Sequence, residues 1–290
     1  MEQFPDFVYR RRGRSSLWVA QEFTGPVDVA LLADADRLFE EPGCAIIKDQ
    51  RKIKVARIRI SVGGEARTVY LKRYNIFSWH VALGSLFWKS GAVRALCGAA
   101  VLAKAGIAFA KPVAAVENRS WGMVTQSFFF TEEIAGGKTV DAYWRDDLSS
   151  LEGLSGYRRR RDFLRALAAL FQLLHRRQVY HDDLKDANIL VVAGRENQAD
   201  CFFLLDLEGI RQCYRLSERR RIKNLIQLHR TLGRHFRRTD KICFFKEYLG
   251  HEFDARRKKR LWAGKIYRRS ARLDRQKLLH GRLRNDSTAS

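Results

Sequence analysis

The sequence predicts an α+β chain in two lobes, with an antiparallel sheet in the first and mainly helices in the second. Three observations predict this. Short β-rich runs fill the stretch from Ala45 to Leu71, and Gly63-Gly64 separates two of them. A stripe of helical period, Phe163, Leu164, Leu167, Leu170, Phe171 and Leu174, lies in the second half. That helix leads into Tyr180-His181-Asp182-Asp183-Leu184-Lys185-Asp186-Ala187-Asn188, a loop of H-x-D-L-x-x-x-N form with an apolar strand after it.

Residues 1–41 show no clear periodicity and are expected to form a partly ordered N-terminal arm. Residues 42–135 make the first lobe. Its strands are expected at Ala45-Ile46-Ile47, Val55 to Ile60 and Thr68 to Leu71, with a tight hairpin at Gly63-Gly64 and Lys72 closing the third strand. Apolar residues then switch to helical spacing through 78–90 and 92–105, and Gly106 has the place of a C-terminal cap. Strand-like runs return over 107–130, notably Met123-Val124 and Phe128-Phe129-Phe130.

Gly136-Gly137 reads as a hinge, and residues 136–290 make the second lobe. The polar stretch 138–161 ends in Arg158-Arg159-Arg160-Arg161, and Asp162 is the expected N-cap of the striped helix. Ser217 caps a further helix containing Ile222, Leu225, Ile226, Leu228 and Leu232. The segment from Ala255 to Leu283 is helical and very basic, with Asp274 as its only acid.

At 290 residues and 46% hydrophobic content the chain has ample material for a core. Lys plus Arg number 55 against 32 Asp plus Glu, a formal charge of +23. Such a balance implies a polyanionic partner: nucleic acid, an anionic membrane or a phosphorylated substrate. The five cysteines, at 44, 97, 201, 213 and 243, form no C-x-x-C pair and read as reduced thiols of a cytosolic protein. Met1 to Ser16 is basic without an apolar core, so no signal peptide is expected. The most apolar stretch, Ile76 to Ala110, is broken by His80, Lys89, Arg94, Lys104 and Gly106. It is too interrupted for a spanning helix.

The loop carries the chemistry. A second apolar run, Phe202-Phe203-Leu204-Leu205, ends in Asp206. Phosphoryl transfer needs one carboxylate to receive or orient the attacking hydroxyl, and an amide with a second carboxylate to hold Mg²⁺ against the phosphates. Asp183, Asn188 and Asp206 supply that set. Turn capping by His181 and Asp183 is the plain alternative, but motif and structural context agree here.

The order of sheet, strand lysine, helix, hinge, long helix, loop and metal aspartate resembles the bilobal protein-kinase-like fold. More narrowly, Val69-Tyr70-Leu71-Lys72-Arg73-Tyr74-Asn75, Gly106-Ile107 with Pro112-Val113-Ala114, and the Arg220 to Leu232 helix resemble the lipopolysaccharide core kinases. Those enzymes phosphorylate heptose or Kdo, and the likeness covers about 42–280. The resemblance implies that ATP and Mg²⁺ are used and that Lys72 binds the α/β-phosphates. It further implies that Asp183 is the catalytic base, that Lys185 meets the γ-phosphate, and that Asn188 and Asp206 hold the metal.

Three departures from the general kinase pattern stand out. No G-x-G-x-x-G loop is present; the corresponding segment is Lys48-Asp49-Gln50-Arg51-Lys52-Ile53-Lys54, where Lys48 and Lys52 are expected to serve the phosphates in place of backbone amides. The metal motif reads Asp206-Leu207-Glu208-Gly209, with Glu208 either a further ligand or simply exposed. From Ile76 to Val116 there is no acid, so the helix glutamate that pairs with the strand lysine is missing and Ala95 stands near its place. Either another acid such as Glu117 reaches Lys72, or ATP alone positions it.

The expected acceptor is a sugar of the lipopolysaccharide inner core, heptose first. The next helix starts soon after Asp206 and no A-P-E motif follows, which leaves little chain for a peptide platform. The basic charge suits a peripheral protein on the anionic cytoplasmic face of the inner membrane of a Gram-negative bacterium, where each cation contributes about 1 kcal/mol. Trp79, Phe87, Trp88 and Trp262 lie among cations and are either interfacial or packed in the core. No nucleic-acid partner is expected, although phosphate contacts would account for the charge equally well. The alternatives are a Kdo kinase, another small-molecule phosphotransferase, or an inactive kinase-like scaffold on membrane or nucleic acid.

Overall fold

In a computed structural model, residues 4–62, 64–76, 83–194, 198–250 and 256–286 are described. Two compact units make up the chain. The first is Met1–Ala135 with Leu204–Ile210, and the second is Gly136–Phe203 with Arg211–Ser290.

The first unit is built on an antiparallel sheet. Its strands are β1 (Phe7–Arg12), β2 (Ser15–Ala20), β3 (Ala45–Gln50), β4 (Ile53–Val62), β5 (Glu65–Asn75), β6 (Pro112–Ser120) and β7 (Met123–Glu132). Their order across the seven-stranded sheet is β1-β2-β6-β7-β5-β4-β3. The predicted meander is present, with Val62 opposite Glu65 at the end of the β4–β5 ladder; of the two turn glycines, Gly63 lies outside the described residues. The alternation of β4 and β5 sends one set of residues inward: Ala56 opposes Leu71 and Ile58 opposes Val69, all four buried.

Residues 7–39, which show no periodicity in the sequence, are ordered. β1 and β2 extend the sheet beyond β6, and α1 (Pro26–Ala33) follows. Phe23, Leu32, Leu38 and Phe39 from this region join the core with Leu71, Val116 and Phe130. The elements there are too short to show a period, and their burial depends on a sheet made by later residues.

Helix α2 (Gly91–Ala105) has the predicted end. Gly106, at φ 68°, closes it in the left-handed conformation that glycine takes without penalty. At its start the Ser90 hydroxyl accepts from the Val93 amide at 3.2 Å. The helix expected through 78–90 falls partly on residues outside those described. Residues 85–88 form a turn, with the Trp88 amide bonded to the Gly84 carbonyl at 2.9 Å.

In the second unit, α3 (Gly153–Arg176) buries Phe163, Leu164, Leu167, Leu170, Phe171 and Leu174, the whole predicted stripe. Its start corrects the expectation at Asp162, which lies inside the helix on an exposed face. The helix begins after Glu152 because the arginine run is itself helix-forming. Arg160 turns inward and donates to the Leu148 carbonyl at 3.4 Å and to that of Leu151. Neighbouring Arg159 forms a forked pair with buried Asp200, one arm at 2.9 Å.

After α3 come β9 (Val179–His181), β10 (Ile189–Val192) and β11 (Cys201–Leu204). β10 lies between β11 and the short β8 (Lys138–Thr139). Ser217 caps α4 (Glu218–Arg230) as expected, but Leu232 sits in the turn beyond it. α5 (Arg238–Leu249) packs on α3, and the basic α6 (Arg256–Asp286) packs on α4. Trp262 and Ile266 of α6 are buried, with the Arg221 guanidinium 4.9 Å from the Trp262 ring centre. Trp262 is therefore core and not interfacial. Trp79 lies outside the described residues.

Candidate active site

Each unit gathers one set of the predicted residues. In the first, β5 presents Lys72 and the Leu204–Ile210 segment presents Asp206 and Glu208. The segment is tied to its unit by backbone bonds from the Leu204 amide to Ala108 at 3.0 Å and from the Ala110 amide to Leu204 at 3.1 Å. Asp206 then takes a left-handed conformation, φ 58°, which aspartate tolerates better than most residues. Its carboxylate accepts from Lys72 Nζ, and Glu208 Oε1 accepts from the same ammonium at 2.5 Å.

The Lys72 and Glu208 side chains retain only 17% and 15% exposure, so both charges depend on this pairing. Burial works against the Lys72 ammonium, but Glu208 and Asp206 together outweigh it and raise the lysine's pKa. Burial pushes the Glu208 carboxyl up; Lys72 pulls it down, and Asp206 adds to the upward push. The lysine stays charged because it faces two carboxylates, while Glu208 bears the burial and its acidic neighbour.

Glu117, one acid considered for Lys72, does not serve it. Its buried side chain accepts from Arg119 at 3.2 Å. Nor is Glu208 simply exposed. Lys48 lies on the Lys72 side of the sheet: Lys48 opposes Val55, and Val55 opposes Lys72, a lateral row that shares one face. Lys52 sits in the turn between β3 and β4, where its carbonyl accepts from the Asn75 amide at 2.9 Å. It also lines a cavity of about 420 Å³ with Tyr74, Trp88, Arg94 and Glu208.

The second unit gathers Asp183, Lys185 and Asn188. Lys185 Nζ donates to Asp183 Oδ2 at 2.6 Å, and Asn188 Nδ2 donates to the Asp183 carbonyl at 2.8 Å and to Oδ2 at 3.3 Å. These bonds use the amide nitrogen of Asn188, so its amide oxygen is the atom it offers a metal. His181, buried, accepts the Asp183 amide on Nδ1 at 3.1 Å and so sets the loop's entry.

Two residues of α4 that the sequence reading passed over hold this loop from below. Asn224 Nδ2 donates to the His181 carbonyl at 2.6 Å. Gln227 donates to the Asp182 carbonyl at 2.6 Å and accepts the Leu184 amide at 3.2 Å. Asn224 is buried among Ile222, Leu225, Ile226 and Leu228, and an amide in that apolar stripe was the available signal. Beneath it, His175 bonds Tyr248 at 2.8 Å, and burial lowers its pKa to about 4.

Among the described residues no group of three or more His, Cys, Asp or Glu side chains is placed to hold a metal. Each unit offers hard oxygen donors of the kind Mg²⁺ takes, the Asp206 carboxylate in the first and the Asn188 amide oxygen in the second.

A seven-stranded antiparallel sheet bearing a paired lysine, followed by a helical unit with an H-x-D-L-x-x-x-N loop, is the make-up of the protein-kinase-like fold class. The chain belongs to the lipopolysaccharide kinase (Kdo/WaaP) family, whose model matches residues 67–248 and so spans every residue above from Lys72 to Tyr248. Among solved structures it is similar to WaaP in complex with acyl carrier protein, with a TM-score of 0.61 and 18% identity. That match covers 89% of this chain and 98% of the other, and it is a likeness of fold. No curated protein matches the sequence.

Proposed function

We propose that the protein transfers a phosphoryl group from ATP to a sugar hydroxyl of the lipopolysaccharide inner core, heptose before Kdo. It does so as a peripheral protein on the cytoplasmic face of the inner membrane. The observation that carries the acceptor class is the short connection after the metal-type aspartate. Only Leu207 to Leu216 separate Asp206 from the Ser217 cap of α4, too little chain for a peptide groove. A compact acceptor fits, and the family supports a glycan.

In this reading Asp183 receives the proton of the attacking hydroxyl, and Lys185 and Asn188 hold its carboxylate in place. Lys72 binds the α/β-phosphates, with Lys48 and Lys52 as further cations on the phosphate side. Asp206 and Asn188 would hold Mg²⁺, as the family resemblance implies, and the ion would offset charge on the phosphate oxygens.

A second observation supports the membrane part. Leu83, Leu86, Phe87, Trp88 and Trp121 are exposed, Phe87 at 84% and Trp121 at 93%. Trp121 and Gly122 form the β6–β7 turn with φ 53° and 78°, a geometry that favours Asn or Gly over a bulky side chain. The two segments adjoin, because the Val124 amide donates to Ser85 Oγ at 2.8 Å. Aromatic and apolar side chains on a strongly cationic protein match an anionic bilayer surface. Among the described residues no helix is long and apolar enough to cross a membrane. The WaaP neighbour is seen with acyl carrier protein, so a carrier protein is the first protein partner to test, by copurification.

The decisive experiment incubates the purified protein with ATP, Mg²⁺ and lipopolysaccharides truncated before or after the first heptose. Phosphate gain is followed by mass spectrometry. Transfer only to heptose-bearing cores is expected. Transfer to Kdo alone would move the assignment to the runner-up, and no transfer to any core would overturn the reading.

A further inference from the structure

We infer that Glu208 is the positioning residue for Lys72, taking the part that a helix glutamate plays in other kinases; this rests on the phosphotransferase reading above. Kinases align the strand lysine with a glutamate from the neighbouring helix. Here that helix is α2, and the stretch from Ile76 to Val116 contains no acid. The face it buries carries Ala95, Gly98 and Ala99. A Cβ on Gly98 would meet the Leu207 carbonyl oxygen at 2.0 Å, so the α2 backbone rests directly on the Asp206–Gly209 turn. Where other kinases place a helix side chain, this chain places the turn itself.

That turn brings its own acid. Glu208 reaches Lys72 Nζ at 2.5 Å and is nearly enclosed, 15% exposed. Asp206 contacts the same ammonium through Oδ1, and it is also the acid assigned to the metal. Glu208 gives Lys72 a partner of its own. The turn is closed by the Gly209 amide on the Asp206 carbonyl at 3.1 Å, so the metal acid and the lysine's partner sit on one short rigid peptide. Alignment of the lysine and placement of the metal ligand are thereby set together, with α2 as the support beneath.

A double-mutant cycle tests this with the full-length protein: Glu208→Gln, Lys72→Met and the two combined. The measurements are Mg·ATP affinity, kcat and KM for ATP in transfer to core lipopolysaccharide, the Mg²⁺ dependence of transfer and the thermal unfolding midpoint. Loss of an orienting partner typically lowers activity on the order of 10- to 100-fold. Glu208→Gln is expected to lower kcat/KM for ATP by that amount with the Mg²⁺ dependence unchanged. Glu208→Asp should recover part of the loss, because it restores the charge at shorter reach. In the Lys72→Met background, Glu208→Gln should cost nothing further.

Wild-type kcat/KM in Glu208→Gln would overturn the inference and leave the kinase reading intact. An additive double mutant with a shifted Mg²⁺ dependence would also overturn it, and would make Glu208 a metal ligand. Should the wild type bind Mg·ATP without finding its acceptor, the same cycle is read in the binding constant. A wild type that binds no Mg·ATP would remove both readings.

Discussion

Gly98 of α2 and Leu207 of the Asp206–Gly209 turn meet backbone to backbone: a Cβ on Gly98 would lie 2.0 Å from the Leu207 carbonyl oxygen. Backbone cannot yield as a flexible side-chain end does. Gly98→Ala is therefore expected to destabilise the protein by about 1–3 kcal/mol, the usual range for overpacking. It should also shift the turn that carries Asp206 and Glu208. Denaturant unfolding together with ATP turnover checks this, and an alanine variant with normal stability and activity would mean the contact is looser than described.

Asp183 receives its neighbours' hydrogen bonds on one carboxylate oxygen and on its carbonyl. Asp183→Ala should reduce phosphoryl transfer by on the order of 10²–10⁴-fold, the range for losing a general base, while Mg·ATP still binds. Asp206→Ala should abolish metal-dependent turnover. A folded Asp183→Ala variant with full activity would remove the assignment.

Asn224 and Gln227 touch the loop only through backbone and side-chain amides. Gln227→Ala leaves the Leu184 amide and the Asp182 carbonyl without their partner on α4. Such losses cost about 1–3 kcal/mol when the orphaned group is buried. The expected outcome is a lower kcat with KM for ATP little changed, because the residue supports the loop of the second unit and not the lysine of the first. A rise in KM for ATP alone would contradict this.

His175 should make the fold acid-sensitive. Its folded pKa, about 4, lies below the ordinary 6.5, so between those values the unfolded chain binds the proton more readily. Stability therefore falls as pH drops below about 6.5 and levels off under pH 4, by up to about 3 kcal/mol at 1.36 kcal/mol per pH unit. Denaturant midpoints measured across that window should follow this slope, and His175→Gln should flatten it. An unchanged slope in the variant would place the acid sensitivity elsewhere.

Membrane attachment should have an electrostatic and an apolar part. Charge attraction is screened over about 10 Å at 0.1 M salt, so salt should weaken binding to anionic vesicles but not abolish it. Replacing both Phe87 and Trp121 with Ser should make the remaining binding fully salt-sensitive. Vesicle sedimentation measures both. Equal binding by the variant would leave the aromatic patch without a membrane role.

The predicted strands from Ala45 to Leu71, the α2 cap at Gly106 and the buried stripe of α3 were all legible, because each signal is carried by residues a few positions apart. The same holds for the H-x-D-L-x-x-x-N loop, in which Lys185 and Asn188 both bond Asp183 within a few residues of chain. The start of α3 was misread for a local reason as well. Asp162 is a good cap by type, but the four arginines before it are good helix formers, and Arg160 found carbonyl partners that no sequence window shows.

What residues 7–39 do and what Lys72 pairs with are decided by long-range contacts. The arm becomes ordered only because β6 offers an edge to β2 and the sheet offers an apolar face to Phe23 and Leu32. Lys72 and Glu208 are separated by 136 positions in the chain. By itself the sequence made the H-x-D-L-x-x-x-N loop legible, since a motif of fixed spacing is a local object. The tertiary structure decided which acids meet the lysine, because a buried charge takes whichever opposite charges the packed backbone brings to it, and the close approach at Gly98 brings the turn that carries Asp206 and Glu208.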